Sequence, residues 1–420
     1  MNDEDAPPPL PAFAGYGIEL EYMIVDERSL SVLPLADRLL HQACDGKSNE
    51  AKRGLLDWSN ELVLHVIEIK NPRPAAALSL LPDHFQSEIR AINRMLQTMG
   101  ARLMPGAMHP WMTPRSETHL WPHDNHAIYH AYDRIFDTKS HGWANLQSMH
   151  INLPFADDAE FARLHAAIRL VLPILPALAA SSPIADGGDT GWLDYRMHVY
   201  CDNAQAFPAI AGKVVPETVT SRAAYEQRIL APMYRAIAPH DPDGILQQEW
   251  LNSRGAIARF DRNAIEIRVV DTQECPRADL AIAAAATATI RRLYRRGDDD
   301  LAAQQAQQEI RTDTLATILQ DCIRNAEQAT IEHAPYLQLL GYPEPRCTAD
   351  ALWQHLVAGM MDDDPEHALH WRVPLQTILE QGPLARRILR ALNGNCSRQR
   401  LQVVYRELCN CLDEGRMFSA

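Results

Sequence analysis

Two glutamates separated by one residue are the first side chains in this sequence with chemistry to offer: Glu19 and Glu21, in Gly17-Ile18-Glu19-Leu20-Glu21. Residues 16–25 alternate. Ile18, Leu20, Tyr22 and Ile24 fall on one face, and Gly17, Glu19, Glu21 and Met23 on the other, which predicts a strand. At a rise of about 3.3 Å per residue the two carboxylates stand about 7 Å apart on a single face. Like charges that close repel unless a cation lies between them, and a hard divalent ion with oxygen ligands meets that need. A solvated strand face is the plainer alternative.

Glu61 and Glu68 sit in or beside a second apolar run, Leu62 to Lys70, which ends at Asn71-Pro72-Arg73-Pro74. A carboxylate among such neighbours is expensive to bury unless it is paired or metal-bound. An ion pair from Glu68 to Lys70 would also satisfy it. The two glutamates have opposite strand parity, so they share a site only if the strand bends or Glu61 precedes it. In Met149-His150-Ile151-Asn152-Leu153, His150 and Asn152 share a face, His150 serving either as a core residue or as a ligand.

The most specific cluster is cationic. Arg254, Arg259, Arg262 and Arg268 fall within fifteen residues, with Glu266 among them. Guanidinium groups are planar and multi-donor, and they suit phosphates and carboxylates. A surface ion-pair network, with Glu266 bound to Arg268, is the alternative. GxxxxGK[ST] and HExxH are absent, and Gly15-Tyr16-Gly17 does not extend to GxGxxG. A nucleotide, if used, is held outside the P-loop and Rossmann designs.

The elements that must position these groups follow from periodicity. Residues 1–13 read as a loose tail. Strands are predicted over 16–25, 62–70, 146–153 and 264–271, and helices over 77–99, 124–138, 159–180, about 220–238 and 278–296. Residues 183–217, rich in Gly, Pro, Asp and Asn, read as a long functional loop. Beyond about 300 the chain reads as all-helical, with breaks near 335–349, 363–366 and 393–396. The class is therefore α+β, with a helical C-terminal part.

Composition narrows the function. The chain has 420 residues, 54 acidic against 40 basic side chains and a formal net charge of −14. That balance disfavours a nucleic acid or an anionic membrane surface as partner. The eight cysteines show no CxxC rhythm, which predicts reduced thiols. The acidic, proline-rich N-terminus lacks the features of a signal peptide, and no apolar stretch is long enough to span a membrane. The expected location is cytoplasmic.

Taken in order, these pieces resemble the type 2 glutamate–cysteine ligase family of glutamine synthetase-like carboxylate–amine ligases. The matching residues are Gly17-x-Glu19-x-Glu21, Glu68-Ile69-Lys70-Asn71, Met149-His150-x-Asn152 and Thr190-Gly191-x-x-Asp194-Tyr195-Arg196. Arg259…Glu266-x-Arg268-x-x-Asp271-Thr272-Gln273 and the late Ser397-Arg398-Gln399-Arg400 continue the likeness, which spans about residues 14–412. Two positions depart from it: Asn152 stands where a second histidine is common, and Asp194 where a small hydroxyl residue is common.

The resemblance implies a glutamine synthetase-like curved antiparallel sheet flanked by helices. Residues 14–300 would form the catalytic core, and 301–420 a helical segment packed on it. It implies ATP and Mg²⁺ as cofactors, with Mn²⁺ as an alternative. Glu21, Glu61 and Glu68 would surround one ion, and Glu19, His150 and Glu266 another. Arg259 and Arg268 would neutralise phosphate charge as catalytic groups, with Asn152 and Arg254 as further nucleotide contacts. Arg196 and Tyr195 would hold substrate. The implied reaction joins a carboxylate to an amine through an acyl phosphate, with glutamate and cysteine the leading pair of small-molecule substrates. Another amino acid, amine or peptide terminus, a metal-dependent hydrolase on the same scaffold, and a homo-oligomeric assembly all stay open.

Overall fold

One antiparallel sheet organises the chain as far as residue 271. In the computed structural model, which describes residues 8–44, 46 and 49–420, its strands are β1 (Gly17–Asp26), β2 (Glu50–Lys52), β3 (Asp57–Asn60) and β4 (Val66–Lys70). They are followed by β5 (Ala101–Met104), β6 (Ser148–Pro154), β7 (Ala256–Arg259) and β8 (Ala264–Asp271). The order is β2-β3-β4-β1-β6-β8-β7, and β5 pairs with the far half of β1. Register sets the later chemistry. Glu19 lies opposite Lys70 on β4 and His150 on β6, and Glu21 lies opposite Glu68.

The alternation in β1 sorts its side chains as the sequence predicts. Ile18, Leu20, Tyr22 and Ile24 are fully buried in the main core. There they pack with residues from α1 (Pro82–Gln97), whose Phe85, Ile89, Ile92 and Leu96 recur at helical spacing. Removing apolar side chains of this size from water contributes about 1.5–3 kcal/mol each, which fixes the register of β1. The glutamate face divides in two. Past Glu21, Met23 and Val25 are sealed by Leu384, Leu401, Tyr405 and Leu408 from the C-terminal helices, leaving only the Glu19–Glu21 end open.

The other helices that matter are α2 (His126–Ile135), α3 (His141–Ala144), α4 (Asp158–Val171), α5 (Tyr195–Asp202) and α6 (Pro276–Asp299). At the C-terminus come α7 (Leu384–Leu392) and α8 (Arg398–Glu414). The alanine-rich α6 is buried on nearly all sides through its first turns, as its lack of a polar face predicts.

A bulge shapes the β6–β8 pairing, whose register shifts between Ile267 and Val270. Arg268 falls inside it, its backbone N–H donating to Gly255 O at 2.8 Å. A side chain at Gly255 would place its Cβ 2.4 Å from Val269, so only glycine allows this approach.

The structure departs from the sequence reading at several points. Residues 62–65 are not strand: Leu64 donates to His119 O, and His65 O accepts from Ile24, so their backbone groups pair elsewhere. The helix expected over 159–180 ends at Val171 because Pro173 and Pro176 break its hydrogen-bond ladder. The long loop expected over 183–217 contains a two-residue-strand hairpin at 184–189, α5 and a short helix, Pro208–Ala211. Asp194 caps α5 by accepting from Met197 N. Beyond 300 the chain is helical except for the pair Thr330–Ile331 and Cys347–Thr348.

Residues 1–7 of the expected tail lie outside the described residues. Residues 12 and 13 are tied down, Ala12 N donating to Glu160 and Phe13 packing edge-on to Tyr294. Among the described residues no helix is long and apolar enough to cross a membrane, and no two cysteines are bridged.

Candidate functional site

A cavity of about 500 Å³ opens on the exposed half of the glutamate face. Glu19 and Glu21 from β1, Glu68 and Lys70 from β4, and His150 from β6 line its floor. Glu266 and Arg268 from β8 continue that floor, and Arg259 and Arg262 stand at the β7–β8 turn. Glu61 reaches the same cavity from the turn before β4, which resolves its parity conflict with Glu68.

Two groups of side chains are placed to share a cation. Ligand atoms of Glu21, Glu61 and Glu68 all lie within 4.8 Å of one another, and so do those of Glu19, Glu68 and His150. The first trio is the one implied by the resemblance. In the second, Glu68 replaces the expected Glu266, whose carboxylate is held away by arginines: Arg268 Nε donates to Oε1 at 2.6 Å and Arg259 Nη1 to Oε2 at 3.3 Å. His150 Nδ1 is 3.0 Å from Glu19 but 3.8 Å from Glu266.

The electrostatics show how poorly these charges are balanced from within. Burial pushes Glu68 up to about 7, although Lys70 Nζ donates to it at 2.6 Å and draws it back. The ion pair read as the alternative to metal binding is therefore present, and it leaves the carboxylate undercompensated. Burial, then the charges of Glu21 and Glu68, raise Glu61 well above the usual carboxylate range. Burial disfavours a charged His150, but its hydrogen bond to Glu19 and the fields of Glu19, Glu21 and Glu266 outweigh that and hold it at about 9. Without an ion, an imidazolium thus supplies positive charge beside Glu19, and a bound cation would take the place of its proton. A divalent cation fits both groups, the first offering three carboxylates and the second two carboxylates and an imidazole.

Neighbours fix the ligand geometry. Ser148 donates to Glu21 Oε2 from its backbone N at 2.7 Å and from Oγ at 3.2 Å. Ser59 Oγ donates to Glu68 at 2.5 Å, and Asn152 Nδ2 to Glu19 at 3.1 Å.

The cations form two stations. Arg259 pairs with Asp261, Glu266 and, through Nε, with Glu249 at 3.9 Å, and its guanidinium lines the cavity where an anion would enter. Arg268 also donates to Asn252 O, and Arg196 Nη2 donates to Arg268 O at 3.1 Å. Arg196 is itself anchored through Nε to Asp271 Oδ1 at 2.5 Å.

Three of the expected contacts fall outside the cavity lining. Arg254 is buried and spends its guanidinium on Glu217, at 2.6 and 2.7 Å, and on carbonyls of residues 209 and 210. Asn152 braces Glu19 from the side, and Gly17 opposite it leaves the room: a Cβ there would come within 2.9 Å of Asn152 Cβ. Tyr195 points away from the cavity that Arg196 lines, and packs against His198. The late arginine motif is remote as well, since Ser397 caps α8 and Arg398 lies over Trp111.

Sequence reasoning missed an entire side of the site. Tyr129 and Tyr132 of α2, Trp143 of α3, Leu146, Tyr200 of α5 and Trp250 form an aromatic wall. The i, i+3 spacing of Tyr129 and Tyr132 was the only local signal, because the others come from distant segments.

The sequence profile described as "Glutamate-cysteine ligase family 2" matches residues 16–333. An uncharacterized protein of Archaeoglobus fulgidus is 32% identical over 402 residues, covering 96% of this chain and 99% of that protein. A protein of Bradyrhizobium diazoefficiens, provisionally named glutamate–cysteine ligase 2, is 24% identical over 67% of this chain; the match spans 60% of its own length. Among solved structures, the glutamate–cysteine ligase of Francisella tularensis in complex with AMP superposes with a TM-score of 0.62. That match covers 95% of this chain and 88% of the other at 14% identity, a likeness of fold.

Proposed function

The chain belongs to glutamate–cysteine ligase family 2, and from that premise we propose that it is an ATP-dependent carboxylate–amine ligase. The observation that carries this reading is the juxtaposition of two groups able to hold a cation with the guanidiniums of Arg196, Arg259, Arg262 and Arg268 around one cavity. A hydrolase of a neutral amide needs the metal but has no use for so many guanidiniums.

The reaction has two steps. A substrate carboxylate attacks the terminal phosphate of ATP, the bond to ADP breaks, and an acyl phosphate results. The amine then attacks the acyl carbon, loses a proton and releases phosphate. Neither step needs a nucleophile from the protein, which accounts for a site of charges without an activated serine or cysteine. Glu21, Glu61 and Glu68 would hold one Mg²⁺ or Mn²⁺, and Glu19, Glu68 and His150 another. Bound there, the ions supply neutralisation of phosphate charge.

The chain's own residues do the rest. Arg259, whose guanidinium lines the cavity at the β7–β8 turn, receives phosphate oxygens. Arg268 and Arg196 orient the substrate carboxylate, held rigid by Glu266 and Asp271. Arg268 thereby takes the acid, and phosphate contact centres on Arg259. Glutamate is the first candidate for the acid and cysteine for the amine. An ADP-release screen over acid and amine pairs with ATP and Mg²⁺, followed by product mass, tests the reading. ADP that forms only when both substrates are present, with an amide product, supports it. Substrate breakdown without ATP would favour the hydrolase.

A further inference from the structure

We propose that the amine joined by this enzyme carries an aromatic or branched apolar group, seated on the wall formed by Tyr129, Tyr132, Trp143 and Leu146. The inference rests on the ligase reading and concerns the part of the cavity that reading leaves unused.

Charge sorts the reactants. Phosphates and a substrate carboxylate are anions, and the cavity offers arginines for both. Arg259 and Arg262 stand where β7 turns into β8, while Arg268 sits in the bulge farther along β8 with Arg196 of α5 donating to its carbonyl. Tyr132 and Tyr200 line the same cavity as Arg268 and Arg196, so the wall borders the carboxylate station. From Ile128 to Leu146 the wall's lining residues carry no charge, leaving it to the one reactant that is not an anion. Asn60 Nδ2 donates both to Glu61 O at 3.2 Å and to Tyr129 Oη, so an amine seated on the wall lies beside the group of carboxylates able to hold a cation. Aromatic faces add a further attraction for an ammonium group.

The rings are held open. Trp143 Nε1 donates to Asn203 O at 3.1 Å, and Tyr129 Oη accepts from Asn60 Nδ2 at 3.0 Å. Tyr132 packs against Trp143 at 5.2 Å between ring centroids and against Trp250 at 5.9 Å. Phe136 is buried behind them, whereas Tyr129, Tyr132, Trp143 and Leu146 keep partial exposure toward the cavity. A thiol side chain as short as that of cysteine would leave most of this surface wet, which a phenyl or branched alkyl group would cover.

The test uses full-length enzyme with ATP, Mg²⁺ and glutamate, and compares cysteine with tyramine, phenethylamine and isoamylamine by ADP release and product mass. We expect kcat/KM at least tenfold higher for one of the apolar amines than for cysteine. Trp143→Ala should collapse that ratio at least tenfold, mainly through the KM of the amine, and Trp143→Phe should restore it. Equal or better use of cysteine overturns the proposal while leaving the ligase reading intact. An increase in the KM for ATP with the amine ratio unchanged in Trp143→Ala also overturns it, by assigning the wall to the nucleotide base. ADP absent with every pair overturns the ligase reading and this inference with it. If Trp143→Ala does not fold, Tyr129→Leu carries the same comparison.

Discussion

Arg196 and Asp271 form an ion pair inside the protein, Nε to Oδ1 at 2.5 Å, with the side chains 2% and 0% exposed. Asp271 Oδ2 meanwhile accepts from Ser181 N at 2.8 Å and Ser182 Oγ at 2.9 Å, so the carboxylate is fixed before it fixes the guanidinium. The cavity-facing end of Arg196 therefore has one orientation. Asp271→Leu strands a buried guanidinium and should cost about 3–5 kcal/mol of stability in urea denaturation. Asp271→Asn keeps the size and shape of the side chain but removes the charge and one of the two accepting oxygens. It should raise the KM of the carboxylate substrate more than that of ATP, and equal effects on both would separate Arg196 from the acid.

Glu68 is shared by both cation groups, whereas Glu19 belongs to one. Glu68→Gln should therefore weaken Mn²⁺ binding at both sites, and Glu19→Gln at only one. Counting bound Mn²⁺ by electron paramagnetic resonance distinguishes the two outcomes. Glu68→Gln should also abolish ADP formation with the fold retained by circular dichroism. Wild-type turnover would remove Glu68 from the site.

Arg259 lines the cavity at the β7–β8 turn, with Glu249, Asp261 and Glu266 holding its guanidinium in place. A charge-assisted hydrogen bond contributes about 1.5–3 kcal/mol, so Arg259→Ala should raise the KM for ATP about 10- to 100-fold. The KM of the acid should move far less. Unchanged ATP affinity and turnover would place the phosphates elsewhere.

His165 of α4 gives a pH signature remote from the cavity. Both ring nitrogens are buried without hydrogen-bond partners among the described residues, and burial, reinforced by Arg169, pulls its pKa down to about 3. The unfolded chain, with a histidine pKa near 6.5, binds the proton that the folded chain refuses. Its contribution is therefore complete above about pH 6.5 and is lost as pH falls toward 3, about 2 kcal/mol at pH 5. His165→Leu should remove that share, flattening the fall in stability between pH 7.5 and 5. An unchanged slope would mean that His165 is protonated in the folded protein.

The parts legible in the sequence are those where period and chemistry coincide. β1 announced both its strand and its paired glutamates, because strict alternation of apolar and acidic residues suits a half-buried strand and cannot line one face of a helix. His150, Glu266 and Arg268 were legible as members of strand faces. Glu61 was harder, since its place depends on where β4 begins, and that is set by backbone pairing of residues 64 and 65 with other segments. Arg254 looked like part of a cationic cluster, but Glu217, far along the chain, neutralises it. The aromatic wall had almost no local signature. Its rings come from α2, α3, α5 and the segment before β7, and only the tertiary fold brings them to one cavity.

The central claim is that a carboxylate is activated as an acyl phosphate on this sheet. It is tested most directly by isotope transfer. With ATP, Mg²⁺, an amine and ¹⁸O-carboxylate-labelled acid, glutamate first, the phosphate released should carry one ¹⁸O from the acid for each ADP and each amide formed. Amide formed with unlabelled phosphate, or ADP released with no amide for any acid and amine pair, would contradict the account.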